Sequence, residues 1–184
     1  MKGTREKILL EAKHQFNKKG YNSVSIKDIA DALGISKGNL TYYFKKKEDI
    51  VEAILEMPTD QTPPSAPRTY EELTAFFEDM QSVVENNAFY FLHHAQLSQL
   101  SDYIRRKQSE VYTINCKKLL SCFEKLKDQG IFREEAFEGE YKCIIDSLLI
   151  SCIYWLPFCE IKGISPSENS YKAHAENTIK PIKK

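Results

Sequence analysis

The side chains best equipped for chemistry crowd into one short stretch, Lys37-Gly-Asn-Leu-Thr-Tyr-Tyr-Phe-Lys-Lys-Lys47. Ammonium, amide and hydroxyl groups come from Lys37, Asn39, Thr41, Tyr42 and Tyr43, then Lys45, Lys46 and Lys47 add cations, with no acid between. This is an inventory of hydrogen-bond donors and counter-charges. In a helix, Leu40 and Phe44 are four apart and point together into a core. Successive residues turn by about 100°, so Tyr42 lies opposite that face, with Gly38 and Asn39 beside it and Thr41 and Tyr43 on its flanks. A polar, aromatic face without carboxylates suits insertion into a groove.

The flanking residues must hold that face out. Thr4 to Lys19 carries Ile8, Leu9, Ala12 and Phe16 on one helical side. Gly20 supplies the stop, and Tyr21 packs back over the helix end. The basic start, Lys2, Arg5 and Lys7, either reaches a phosphate or is simply solvated. Ser25 with Asp28 three residues on forms a short capping box, so a helix starts at Ile26 and buries Ile29, Ala30 and Leu33. Gly34 makes the turn, Ser36 caps the next helix, and the small Ala30 lets the two helices cross closely. This is a helix-turn-helix, whose second helix enters the major groove of DNA. A further amphipathic helix, Glu48 to Glu56, follows.

The chain has 184 residues and a net charge of zero, which excludes an indiscriminate coat for nucleic acid. Residues 1–57 hold 11 Lys/Arg against 8 Asp/Glu, and residues 58–184 hold 15 against 18, so the positive excess sits with the motif. Four of the seven prolines fall in Met57–Thr69, which reads as a connection between a domain at 1–57 and another at 68–184. The second part reads as helices over Tyr70–Glu85, Ala88–Leu100, Asp102–Asp128 and Glu135–Leu156, the last ended by Pro157 or shortly after it. Pro166 opens a short final helix, and the tail from Lys180 frays. No strand-like alternation repeats, so the fold class is all-α. Five scattered cysteines and a start without an apolar segment point to the cytoplasm. Ile144 to Phe158 is too short and too mixed to span a membrane. Adjacent His93 and His94 diverge by about 100° on a helix and cannot share a metal. Phosphate-loop, nucleophile-elbow and zinc-protease patterns are absent, so no catalytic residue, metal or cofactor is expected.

The run S-I-K-D-I-A-x-x-L-G-I-S-K-G-N-L-x-Y-Y-F followed by K-x-x-D-I resembles the TetR family of bacterial transcriptional regulators, over roughly residues 4–56. Residues 68–184 match only in length and helical character. The resemblance implies an N-terminal three-helix DNA-binding domain with a larger C-terminal helical ligand-binding and dimerisation domain. It makes Lys37 to Phe44 the recognition helix, with Lys37, Asn39 and Thr41 as candidate base-edge contacts. Thr41 departs from the family pattern, where a tyrosine is usual. Ser36 and Gly38 complete the DNA-facing set, and Ser25, Lys27, Tyr42, Tyr43 and Lys47 become backbone-positioning candidates, Lys47 helped by the adjacent helix N-terminus.

The same resemblance implies a homodimer reading a near-palindromic operator in double-stranded DNA, with helices 102–128 and 135–156 as dimer-surface candidates. Aromatic residues of the second half suggest a pocket for a small hydrophobic ligand, with Phe77, Phe91, His94, Phe123, Tyr154 and Trp155 as candidates, although aromatics at helical spacing also build cores. Two functional readings stand: a repressor released by such a ligand, and a DNA-binding regulator that is constitutive or controlled by a protein partner.

Overall fold

The computed structural model describes residues 3–57, 65–166 and 170–184. Its helices are α1 Thr4–Lys19, α2 Ile26–Ala32, α3 Lys37–Tyr43, α4 Lys47–Leu55, α5 Tyr70–Asn86, α6 Ala88–Leu92, α7 His94–Leu100, α8 Asp102–Asp128, α9 Glu140–Ile153, α10 Trp155–Lys162 and α11 Tyr171–Ile179. Among the described residues no strand forms, only an isolated bridge between Phe132 and Lys183. The expected proline-rich connection falls largely on residues 58–64, and Lys2 on residues 1–2, outside the described residues. Two compact units form: Met1–Thr59 with Asn87–Arg106, and Asp60–Asn86 with Lys107–Lys184.

In the first unit Ile8, Leu9, Ala12 and Phe16 of α1 meet Ile29 and Ala30 of α2, Leu40 of α3 and Ile50, Val51 and Ile54 of α4 in one core. The helices stop where the sequence supplies glycine: Gly20 has φ 80° and Gly34 φ 65°, values that a Cβ would strain. This unit also takes in α6, α7 and the start of α8, whose Phe89, Leu97 and Ile104 join the same core. Polar clasps fix them there. Asn17 Oδ1 accepts the Phe89 N–H at 3.0 Å, and the amides of Asn22 and Gln96 pair reciprocally at 3.2 and 3.0 Å. The Tyr103 hydroxyl donates to Glu56 at 2.8 Å, and Ser101 donates to Glu52.

In the second unit α5 buries Leu73, Phe76, Phe77, Met80 and Val84. Two ring clusters lie in the same unit: Phe123 with Phe132 and Tyr141, and Tyr171 with Phe77 and Trp155.

Several boundaries differ from the sequence expectation. The helix expected over 88–100 breaks at His93 into α6 and α7. The one expected from Glu135 begins only at Glu140, where Arg133 pairs with the Glu140 carboxylate at 2.8 and 2.7 Å. Pro157 does not end that helix but lies inside α10. It lacks the N–H that would bond the carbonyl of Ile153, so the break falls there, and α9 and α10 meet at 64°. The final helix starts at Tyr171, where the Ser170 hydroxyl accepts the Ala173 N–H, and not at Pro166. Nor is the tail frayed. Ile182 is buried, its carbonyl accepts the Arg133 N–H at 2.8 Å, and Lys184 N–H reaches Ile131 O at 2.9 Å. No single helix among the described residues is long and apolar enough to cross a membrane.

Candidate nucleic-acid interface

The helix-turn-helix is built by local chemistry. The Ser25 Oγ accepts the Asp28 N–H at 3.2 Å while Asp28 Oδ2 accepts the Ser25 N–H at 2.7 Å, a reciprocal box that starts α2. These bonds from Ser25, the side-chain one first, hold the Asp28 carboxyl below its ordinary range. At the next helix the Ser36 Oγ accepts the Asn39 N–H at 3.1 Å. Leu40 is fully buried and Phe44 nearly so, and the Arg5 guanidinium lies 5.4 Å over the Phe44 ring. With one side of α3 anchored in this way, the other side is forced outward.

Ser36, Lys37, Gly38 and Asn39 are exposed along the start of α3, as are Ser25 and Lys27 at the start of α2. Tyr42 is 83% exposed and Tyr43 39%, their rings edge-to-face at 5.2 Å. An aromatic side chain this open contributes little to the core that sits behind it. Gly38 is not required by crowding, since a Cβ there would approach the Ser36 Oγ only to 3.8 Å. Thr41 is half-buried, and its hydroxyl donates to the Gly38 carbonyl at 3.1 Å. Its proton is therefore engaged within the helix, leaving the methyl group and the oxygen lone pairs for any outside contact.

Lys47 stands apart from the other candidates. Its Nζ donates to the carbonyls of Tyr21 at 2.7 Å and Val24 at 3.0 Å, and lies 4.0 Å over the Tyr21 ring. Burial lowers its pKa from the usual lysine range. The Tyr21 hydroxyl donates to Glu48 at 3.0 Å; burial first, and then the Glu48 bond, raise its pKa. This network was not readable from sequence because two of its members are main-chain carbonyls.

The aromatic ligand candidates divide between the two units. Phe91 and His94 belong to the first unit, both packed edge-to-face on Tyr90. Burial lowers the His94 pKa. Phe77 and Phe123 are fully buried in the two separate ring clusters of the second unit. Trp155 is 2% exposed and its indole Nε1 has no hydrogen-bond partner, while the neighbouring Tyr154 is 48% exposed. Among the described residues no three His, Cys, Asp or Glu side chains form a metal-binding group. Burial pushes the Cys122 and Cys152 thiols up to about 12, which keeps them as unreactive thiols.

Comparison with known proteins agrees with this geometry. The family model for bacterial regulatory proteins, tetR family, matches residues 8–54, the segment that builds α1 to α4. The HTH-type transcriptional regulator RutR of Escherichia coli K12 is 28% identical over 159 residues, covering 86% of this chain and 65% of RutR. The chain thus spans less than two thirds of that relative's length. The HTH-type transcriptional repressor KstR2 of Mycolicibacterium smegmatis is 29% identical over 106 residues, 53% of this chain and 52% of KstR2. Among solved structures, a TetR-family transcriptional regulator from Marinobacter aquaeolei VT8 superposes with a TM-score of 0.85 over 100% of this chain and 92% of that one, at 24% identity. That likeness carries the fold. The relatives are regulators of transcription, not enzymes.

Proposed function

We propose that this chain, whose residues 8–54 match the model of the TetR family of bacterial regulatory proteins, is a DNA-binding regulator that works in the cytoplasm as a dimeric repressor. In this reading α3 of each protomer enters the major groove at one half of a near-palindromic operator, and a small hydrophobic molecule in the C-terminal helices releases it. The observation that carries the reading is the division of α3 into two faces: Leu40 locked in the core, and Lys37, Asn39 and Tyr42 held outward on a helix that contains no acid. Residues 1–57 are then the reading domain and 68–184 the regulatory and dimerisation domain.

Dimerisation is supported by a stripe on α9 and α10. Ile150 on α9, Tyr154 at the break, and Phe158 and Ile161 on α10 are 58%, 48%, 43% and 85% exposed. A row of apolar side chains this open asks for a partner surface, and a second copy supplies one by two-fold symmetry. Tyr154 thus fits the dimer stripe better than a ligand pocket.

Ligand control is supported by α8. Between Ile104 and Leu119 none of its described side chains is buried, and Val111 and Ile114 are 55% and 51% exposed. A protein partner on Val111 and Ile114 is the competing reading. A thermal-shift screen with hydrophobic compounds separates the two: a stabilising compound supports the repressor released by a ligand, and uniform absence of stabilisation favours the partner. The DNA reading is tested by selecting bound fragments from a random duplex pool. A palindromic consensus is expected; equal affinity for every duplex at moderate salt would refute a sequence-specific regulator.

A further inference from the structure

We propose that Thr41 is a specificity-determining residue of the DNA-reading helix: its γ-methyl packs on the C5-methyl group of one thymine in each half-site. This rests on the DNA-binding reading above and names a base that α3 selects.

Thr41 follows Leu40, which is fully buried, and precedes Tyr42, the most open aromatic of α3. Its side chain stands about 100° from each, on the flank of the outward face. Hydrogen bonding there is largely spent. The hydroxyl donates to the Gly38 carbonyl at 3.1 Å, so it has no proton to offer a base, and the bond holds the side chain in one rotamer. What such a threonine presents is its methyl group. In the major groove of unmodified DNA only thymine offers a methyl in return, and that contact helps to tell its pair from the others.

A threonine is short, and its methyl reaches a base only if the helix backbone comes close. Gly38, one turn earlier beside Thr41, supplies that approach. It sits inside α3 without a left-handed φ, and a Cβ built there would meet only the Ser36 Oγ, at 3.8 Å, among the described residues. Glycine weakens a helix relative to alanine. Among the described residues nothing asks for it here, so the requirement comes from outside the chain, where a bare backbone lets base edges in. Lys37, Asn39 and Tyr42, exposed around the same helix, have longer reach and do not need this closeness.

The test uses the full chain and a duplex from the selection above, with each thymine replaced in turn by uracil. That exchange deletes the methyl and keeps the pairing and O4. At one position in each half-site the wild-type protein should lose about fourfold in affinity, and about fifteenfold when both half-sites are changed, the worth of one buried methyl each. Thr41→Ser, which keeps the hydroxyl and lacks the methyl, should bind more weakly and become indifferent to uracil at that position. Thr41→Val, which keeps the methyl, should remain sensitive. Gly38→Ala should melt higher than wild type and bind more weakly. Circular dichroism checks that each variant is folded, and the wild-type scan stands independent of any variant. If no thymine methyl matters to the wild type, or if the uracil penalty persists in Thr41→Ser or vanishes in Thr41→Val, the proposal is overturned. A Gly38→Ala variant that binds as tightly as wild type overturns it too. Failure of the wild-type protein to prefer any duplex would instead overturn the DNA reading itself.

Discussion

Tyr42 offers a perturbation that parts binding from folding. The ring is 83% exposed, and its one described ring neighbour is Tyr43, edge-on at 5.2 Å. Such a pair contributes about 0.5 kcal/mol at an open surface, the low end for aromatic contacts. Tyr42→Ala should therefore shift stability by no more than about 0.5 kcal/mol, the usual bound for surface substitutions. Binding is another matter. A tyrosine seated against DNA that forfeits about 1.4 kcal/mol costs tenfold, and a dimer meets that loss at both half-sites, giving about a hundredfold. Fluorescence anisotropy with a selected duplex at fixed salt measures the binding loss, and thermal unfolding of the free protein measures stability. Leu40→Ala supplies the opposite control: fully buried, it should cost about 2–5 kcal/mol of stability. If Tyr42→Ala bound as tightly as wild type, the outward face of α3 would not be the reading surface.

Thr41→Val should leave affinity within about threefold and the selected sequence unchanged, since the hydroxyl proton already serves Gly38; a changed consensus in a repeat selection would show that the hydroxyl reads a base. Tyr154→Glu should place a charge in the dimer stripe and give monomers at micromolar concentration by light scattering, and persistence of dimers would move the interface elsewhere. Glu140 is held at a pKa of about 2, first by its paired hydrogen bonds to Arg133 and then by the Ala136 N–H. A carboxyl depressed in the folded state stabilises fully above its unfolded value of about 4.3 and loses that contribution as pH falls toward 2. Urea midpoints measured between pH 5 and pH 2.5 should therefore fall more steeply for wild type than for Glu140→Gln, and parallel curves would refute the linkage.

The reading head was legible because its determinants are local. Ser25 and Asp28 cap within one turn, Gly20 and Gly34 supply their own backbone freedom, and Leu40 with Phe44 declare a buried side four residues apart. What escaped depends on distant partners. The Asn22 and Gln96 amides are 74 residues apart and have no pattern that announces their pairing. A terminal stretch such as that from Lys180 reads as frayed, yet Ile182 is buried and the tail is tied to the Arg133 and Ile131 main chain. A proline in sequence reads as a terminator, but its effect falls on the carbonyl four residues back, so Pro157 bends the chain at Tyr154 and the helix resumes.

The aromatic candidates show the same limit more sharply. Phe77, Phe123 and Tyr154 share residue class and helical setting, yet the first two are sealed among other rings and the third faces outward. Periodicity places a side chain on a face of its own helix and is silent about what covers that face. The three lysines after α3 differ for the same reason. Lys45 and Lys46 meet solvent, while Lys47 meets a segment whose carbonyls need a donor. Charge alone would assign all three to DNA. The main-chain carbonyls of Tyr21 and Val24 tie the third of them to the segment before α2 as well, a contact that charge cannot announce.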